Sequence, residues 1–156
     1  VPAAIADLAG KLIKRGVRLG SHDDNSPSQR ASWAGQGATI SEFPETIDAA
    51  EAAIQTGSAV VMGAPNIVRG ASHSGNVSAR ELVAAGLCDA LASDYHYPSP
   101  RLAALSLAKE VGLPAAWHLV SSGPAAILGL KDRGHLQPSY RADLMILEAQ
   151  SQQVAA

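Results

Sequence analysis

Four short apolar segments, each followed by a segment with helix-start signals, constrain the fold of this chain more than any other feature. The apolar segments are predicted strands at residues 17–22, 38–43, 58–63 and 87–93. Strands that alternate with helices pair in parallel, because each helix returns the chain to the starting end of the next strand. The alternation therefore predicts an α/β fold with a parallel sheet and helices packed around it.

The helices are recognisable from their first residues and from their apolar spacing. Start signals of the serine–proline or capping-box type occur at Ser26-Pro27, Ser78 with Glu81, and Ser99-Pro100. Residues 5–13 and 45–56 are predicted helices because their apolar residues recur at helical intervals. We predict a long polar loop over residues 64–77, between the third strand and the helix that Ser78 opens.

The end of the chain departs from this alternation. Two short helices are predicted at residues 113–121 and 124–128, and a last strand at 141–147. We expect the tail, residues 150–156, to be frayed. The periodicity alone does not decide whether the four main strands form half of an eight-stranded barrel or an open sheet.

Composition excludes several classes of function. The chain has 156 residues, 47% of them apolar, and a formal net charge of -2. These values are typical of a globular domain without nucleic-acid or membrane partners. No signal peptide is visible, so the cytoplasm is the expected compartment.

Cys88 is the single cysteine and is expected to be a small buried hydrophobe. Because Val1 stands first, we expect a part of a longer protein or a processed product.

Polar residues that suit a metal ion follow the predicted strands. His22 and Asp23 come after the first strand, Glu42 ends the second and Asp94 follows the fourth. Imidazole and carboxylate groups are the ligands of hydrolytic zinc or manganese sites, and a carboxylate can also accept a proton from water. Each residue has a structural alternative. His22 with its acids, Asp94 and Glu42 could each cap a helix or a turn, and Glu42 could instead orient His22.

The segment Gly63 to Asn76 combines small residues with potential phosphate ligands directly before a helix. These candidate ligands are Asn66, Arg69, His73, Ser74 and Asn76. A guanidinium, glycine-flanked amides and a helix N-terminus are suited to a phosphate group. A structured surface loop is the alternative, and the lysine of a P-loop is absent. His96 could line the same site beside Asp94.

Five sequence blocks, taken together and in order, resemble a known family. They lie at residues 21–24, 40–44, 62–70, 72–78 and 93–95. They are similar to the α-D-ribose 1-methylphosphonate 5-triphosphate diphosphatases of phosphonate metabolism. The end of the chain, from Gly123 to Leu144, resembles the C-terminus of the wider amidohydrolase superfamily.

The resemblance implies the C-terminal half, about strands 5–8, of a TIM-type (β/α)8 barrel. Residues 1–112 would form the half-barrel, residues 113–149 the C-terminal helices and a segment of the small β domain. By position His22 and Asp94 would bind the metal, and Asp94 would also accept the proton. The superfamily commonly has a histidine where this chain has Glu42, and its HxH motif has no counterpart here.

The implied function is hydrolysis of a phosphorylated sugar, ribose 1-methylphosphonate 5-triphosphate, to the 5-phosphate with release of pyrophosphate. Hydrolysis of carbon–nitrogen bonds is the alternative chemistry. A non-catalytic half-barrel that self-associates is the alternative of another class. The resemblance implies a divalent metal ion, with zinc as the first expectation and manganese or another ion as the alternative. With His22 and Asp94 as its only matched ligands, the chain by itself is expected to bind metal weakly or not at all and to be inactive. A homo-oligomer is expected for a separate reason, because four strands cut from a closed barrel expose two strand edges and an apolar face.

Overall fold

A computed structural model describes residues 2–70 and 75–148 and contains one four-stranded sheet. The strands are β1 (Leu19–His22), β2 (Ala38–Glu42), β3 (Ala59–Gly63) and β4 (Ala90–Ala92). All neighbouring pairs are parallel and the order is β1-β2-β3-β4. The predicted α/β class is confirmed. An order without reversal has no switch point of the doubly wound kind, and it matches consecutive strands of a barrel.

Eight helices precede, connect or follow these strands in the described residues. They are α1 (Ala3–Ile13), α2 (Pro27–Gly35), α3 (Ile47–Gln55), α4 (Ala64–Arg69), α5 (Ala79–Ala84), α6 (Ser99–Val111), α7 (Leu113–His118) and α8 (Ser122–Ile127). The predicted caps are present at α2, where Ser26 accepts a bond from Gln29 N, and at α5, where Ser78 and Glu81 form a capping box. None of the described helices is long and apolar enough to cross a membrane.

The two faces of the sheet differ because successive strand residues point to opposite sides. Val60, Met62 and Leu91 point to the helices and are at most 4% exposed. They form a core with apolar residues of the helices, including Leu82 and Leu107. The other face, which would be the inside of a barrel, carries small and apolar residues along an open groove.

The helix α8 crosses the starting ends of the strands. At one end, Gly123 lies so close to the carbonyl of Asp89, just before β4, that a Cβ there would clash. At the other end, Arg18, just before β1, donates from Nη1 to the carbonyl of Ile127 at 2.7 Å. The backbone N–H of Leu91 also donates to Leu119 O at 2.7 Å, so part of the outer edge of β4 is satisfied.

Three sequence predictions of secondary structure are wrong. The predicted loop 64–77 begins as the helix α4, because Pro65 fits a first helical turn, Ile67 is buried, and Gly70 ends the helix in the left-handed conformation. Ser99 is not the N-cap of α6 but lies inside it, and its hydroxyl donates to the carbonyls of Ser93 and His96.

The predicted last strand at 141–147 is also not formed. Over these residues the backbone has no regular secondary structure apart from a single bridge at Leu147. Leu144 and Ile146 are 64% and 70% exposed. A strand is stable only with a neighbour to complete its hydrogen bonds, and no strand of the described sheet lies beside this segment. The tail 150–156 lies outside the described residues.

Candidate active-site edge

The carboxyl ends of β1 and β2 place a histidine beside a glutamate. His22 and Glu42 are register partners in the parallel pair, and both side chains point to the open face. Their closest approach joins His22 Nε2 to Glu42 Oε2 at 3.9 Å. The two side chains are 54% and 43% exposed, so solvent and ions can reach them.

Asp23 fixes the other side of the His22 ring. Its Oδ2 lies 3.0 Å from His22 Nδ1, and the ring also meets the edge of Phe43 at 5.1 Å between centroids. A carboxylate on Nδ1 holds the proton there and leaves the lone pair on Nε2, which is how metal-binding histidines are commonly oriented. This geometry supports Asp23 as an orienting residue and leaves Nε2 and Glu42 facing a common space.

Backbone strain accumulates at this end of the sheet. Asp23, Phe43 and Asp94 follow three of the four strands, and all have a positive φ, between 51° and 57°. Non-glycine residues adopt this conformation rarely, and such strain tends to persist where function requires it. Aspartate is one of the residues that adopt positive φ more readily, so Asp23 and Asp94 are compatible with it, whereas the sequence gives no warning at Phe43.

A cavity of about 180 Å³ adjoins this edge and gathers most of the predicted phosphate ligands. Its polar lining comes from Asp23, Asn66, Arg69, Asn76, Asp94 and Tyr95. Arg69 is held in place, since it donates to Asn66 Oδ1 at 2.9 Å and its guanidinium lies 5.5 Å from the centre of the Tyr95 ring. Asn76 Nδ2 donates to Glu45 Oε1 at 3.1 Å. Phe43 and Tyr95 belong to the sequence blocks 40–44 and 93–95 but were not predicted as site residues.

The predicted site residues therefore separate into two adjoining places. His22 and Glu42 line a groove of about 460 Å³ on the open face of the sheet. Asp94 lines the smaller cavity with Arg69 and Asp23. His73 and Ser74 lie outside the described residues. His96 is exposed, in the turn before α6, and its backbone N–H donates to Ser93 O at 3.0 Å.

The donor atoms at this edge fit a divalent ion but do not complete its coordination. Among residues 2–70 and 75–148, no group of three or more His, Cys, Asp or Glu side chains stands close enough to hold a metal. His22 Nε2 and the Glu42 carboxylate are suitable ligands in both type and orientation. A catalytic site requires at least one further ligand.

Cys88 lies away from this edge, on the core side. It packs against the apolar core, and its thiol donates to the carbonyl of Ala90 at 3.3 Å. Burial raises the pKa of the Cys88 thiol to about 12, so the group stays neutral at physiological pH. Cys88 packs as the small hydrophobe that was predicted, but it is half-buried and not fully buried.

These elements define a class of protein with which sequence comparison agrees. The family model of the amidohydrolase family matches residues 39–156, and the chain belongs to this family. A parallel sheet in sequential order with polar groups at its carboxyl edge is the part of a TIM-like barrel that such enzymes use.

One relative and one solved structure illustrate the similarity. The α-D-ribose 1-methylphosphonate 5-triphosphate diphosphatase of Escherichia coli (strain K12) is 46% identical over 143 residues, which is 89% of this chain and 38% of the relative. A crystal structure of a protein described as uncharacterized has a TM-score of 0.68 at 16% identity, over 92% of this chain and 42% of that one. The second comparison concerns the fold alone. In both cases the chain spans about two fifths of the protein that it matches.

Proposed function

We propose that this chain provides one side of the active site of a divalent-metal-dependent hydrolase. The proposed substrate is ribose 1-methylphosphonate 5-triphosphate, cleaved to the 5-phosphate with release of pyrophosphate. The observation that supports this best is the cavity that brings Arg69, Asn66 and Asn76 beside Asp94. The 46% identity to an enzyme named for this reaction favours the same substrate.

We assign the metal ligands to His22 and Asp94, and Glu42 is the third candidate in this chain. When bound, the ion, zinc in first place, would supply electrophilic polarisation of the phosphoryl group. Asp23 orients the His22 ring from Nδ1. Asp94 would accept the proton of the attacking water, because a carboxylate at the strand end can reach both the water and the substrate.

The phosphate chain would lie in the smaller cavity. Arg69 offers a charge-assisted donor whose orientation Tyr95 and Asn66 already restrict, so little side-chain entropy is lost on binding. Asn76 adds an amide donor on the same wall. We include His73 and Ser74 in this proposal on the sequence alone. We expect no nucleic-acid or membrane partner, and we assign the protein to the cytoplasm with the metabolic enzymes it resembles.

Two other functions have specific support. Carbon–nitrogen hydrolysis is favoured by the family itself, whose model is described as amidohydrolase. A non-catalytic half-barrel that pairs with a second copy is favoured by the open groove and by the absence of a three-ligand cluster in the described residues. We expect the chain alone to bind metal weakly and to be inactive, because two or three ligands compete poorly with water.

The test uses this chain completed by the part of the E. coli relative that it does not cover. We expect metal-dependent pyrophosphate release from the ribose triphosphate, and slower or no turnover of cyclic amides. His22→Ala and Asp94→Asn should each reduce kcat by at least a hundredfold, and the exposed Lys14→Ala serves as the control. Preference for the cyclic amide would establish the alternative chemistry. Full activity in both site variants would contradict the assignment.

A further inference from the structure

A buried polar cluster lies behind the His22–Glu42 edge, on the helix side of the sheet. It consists of Ser21, Asp24, Arg30 and Ser41, and we call it the Asp24 cluster. The Asp24 Oδ2 atom accepts from Ser21 Oγ at 2.5 Å and from Ser41 Oγ at 2.8 Å, and Arg30 Nη1 approaches it at 3.3 Å. The side chains of Asp24 and Arg30 are completely buried, at 0% exposure.

Arg30 extends the cluster from α2 to the backbone of β2. Its Nη2 donates to Ala38 O at 2.6 Å and its Nη1 to Ile40 O at 3.2 Å. Two carbonyls of β2 and the Asp24 carboxylate are thus joined by one guanidinium, which has the fixed fork of donors that this requires. The cluster therefore ties together β1, β2, the helix α2 and the loop after β1.

The position of the cluster relates it directly to His22. Ser21 and Ser41 immediately precede His22 and Glu42 and are themselves register partners. Alternation places the serines on the helix side and the other pair on the open side. Asp23 has φ 57°, and this turn lets the chain send Asp24 back beneath the sheet while Asp23 stays beside His22.

Stability alone explains the cluster poorly. Burying two charges costs several kcal/mol per ion by the general estimate, and apolar replacements of buried pairs are often neutral or stabilising. Asp24 Oδ1 and Arg30 Nε have no hydrogen-bond partner in the described part of the chain, which adds to the cost. The cluster fixes one arrangement that apolar packing would not fix, which is the strained turn at Asp23.

We propose that Asp24 and Arg30 are positioning residues that hold Asp23 against His22 Nδ1. The hydrogen bond keeps the ring proton on Nδ1 and directs the Nε2 lone pair toward Glu42. The inference rests on the proposed role of His22 as a metal ligand. The hydrogen-bonded state of the ring can nevertheless be measured without any metal.

The experiment is long-range ¹H–¹⁵N NMR of the His22 ring in the 156-residue chain at pH 8, with His22→Ala to assign the signals. We expect the Nδ1–H tautomer to dominate in the wild type. In the double variant Asp24→Leu/Arg30→Met the Nε2–H tautomer should become the larger population. The matched control removes a charge pair elsewhere, with Arg80→Met/Glu110→Leu, and should leave the His22 signals unchanged.

A double variant that folds and keeps the wild-type tautomer would overturn the proposal. If the double variant does not fold, Ser41→Ala decides, because it removes one bond to Asp24 Oδ2 and leaves the ion pair. We expect a smaller shift toward Nε2–H in Ser41→Ala, and an unchanged tautomer there would also overturn it. Metal binding by the completed protein tests the proposed function separately. Failure of the positioning proposal therefore does not decide the proposed function, and failure of the proposed function does not decide the positioning proposal.

Discussion

The two faces of the sheet are built from the same strands but differ in how far they are buried. The helix-side face is a closed core, with Val60, Met62 and Leu91 nearly inaccessible to solvent. On the open face, Ile40, Val61 and Ala90 line a groove of about 460 Å³, covered in part by Pro124 and Ile127 of α8. One face is thus a closed core, while the other leaves apolar side chains along an open groove.

The difference between the two faces indicates which part of the molecule could carry a function. A closed core fixes strand positions, and the carboxyl ends of the strands then hold His22 and Asp94 at defined places. The open face cannot exclude water by itself, whereas the proposed phosphoryl chemistry would take place in an enclosed site. In the proposed function the chain would supply the supports and some ligands of the active site, and another segment would supply its second wall.

The largest expected effect is association through the open face. Leaving even ~400 Å² of apolar surface exposed costs about 10 kcal/mol at ~25 cal/mol per Å², so two copies should cover it by pairing around a two-fold axis. Light scattering over a dilution series should show a concentration-dependent dimer. Val61→Lys should shift it to monomer, and Ile47→Lys, on an exposed site of α3, should not.

Such association would have to overcome features that already protect this face. The helix α8 covers part of the groove, and Leu119 O occupies the Leu91 N–H at the β4 edge. A well-folded monomer at micromolar concentration would show that these contacts are sufficient. It would remove the homo-oligomer from the proposal and leave the half-barrel as a stable unit.

A second test compares truncations on the two faces. Leu107 on α6 is fully buried in the core, so Leu107→Ala should lower the free energy of unfolding by about 2–5 kcal/mol. Val61→Ala in the groove should cost less than about 1.5 kcal/mol, since its side chain is only partly buried. Urea denaturation measures both. Equal losses would mean that the open face is packed as tightly as the core.

A third prediction concerns the phosphate cavity. In the completed protein, Arg69→Ala should weaken binding of the triphosphate substrate by about 1.5–3 kcal/mol, because a charge-assisted hydrogen bond is lost. This corresponds to roughly a tenfold to hundredfold loss of affinity. A neutral substrate should be affected far less. Steady-state kinetics with both substrates provide the comparison. Equal losses for the two would indicate that Arg69 supports the fold of α4 and Tyr95 instead of binding phosphate.

A fourth prediction concerns the pH dependence contributed by Cys88. Burial raises its pKa from an ordinary value near 9 to about 12. A raised pKa stabilises the fold below pH 9, and this contribution is lost as the pH rises toward 12. The unfolding temperatures of the wild type and Cys88→Ala should therefore converge over that range.

A labelling experiment checks the burial of the same thiol. At pH 8 a thiol reagent should label Cys88 slowly in the folded chain and rapidly in urea; rapid labelling in both would place the thiol at the surface.

Much of the closed face could be predicted from the sequence. Runs such as 58–63 and the signals at Ser26 and Ser78 are local, so the strands and caps of this region follow from neighbouring residues. The helix α4 was missed because its Pro, Gly and polar residues are typical of loops, while burial of Ile67 depends on the fold. The last predicted strand failed because pairing depends on a distant neighbour.

The sequence supplied candidate residues for the proposed site, but not their arrangement. The strand ends indicated His22, Glu42 and Asp94, yet their division between the groove and the cavity is visible only in the tertiary structure. The Asp24 cluster was invisible for a different reason. Arg30 looks like a solvent-exposed helix residue, and only the tertiary structure shows that its guanidinium is buried against Asp24.

The central claim is that this chain holds one wall of a metal-dependent hydrolase site that another segment completes. The most direct measurement mixes the 156-residue chain with the uncovered part of the E. coli relative and records pyrophosphate release, with and without a chelator. We predict no release from either piece alone, release from the mixture, and its loss on chelation and in His22→Ala. Release by the chain alone, or chelator-resistant release by the mixture, would contradict the claim.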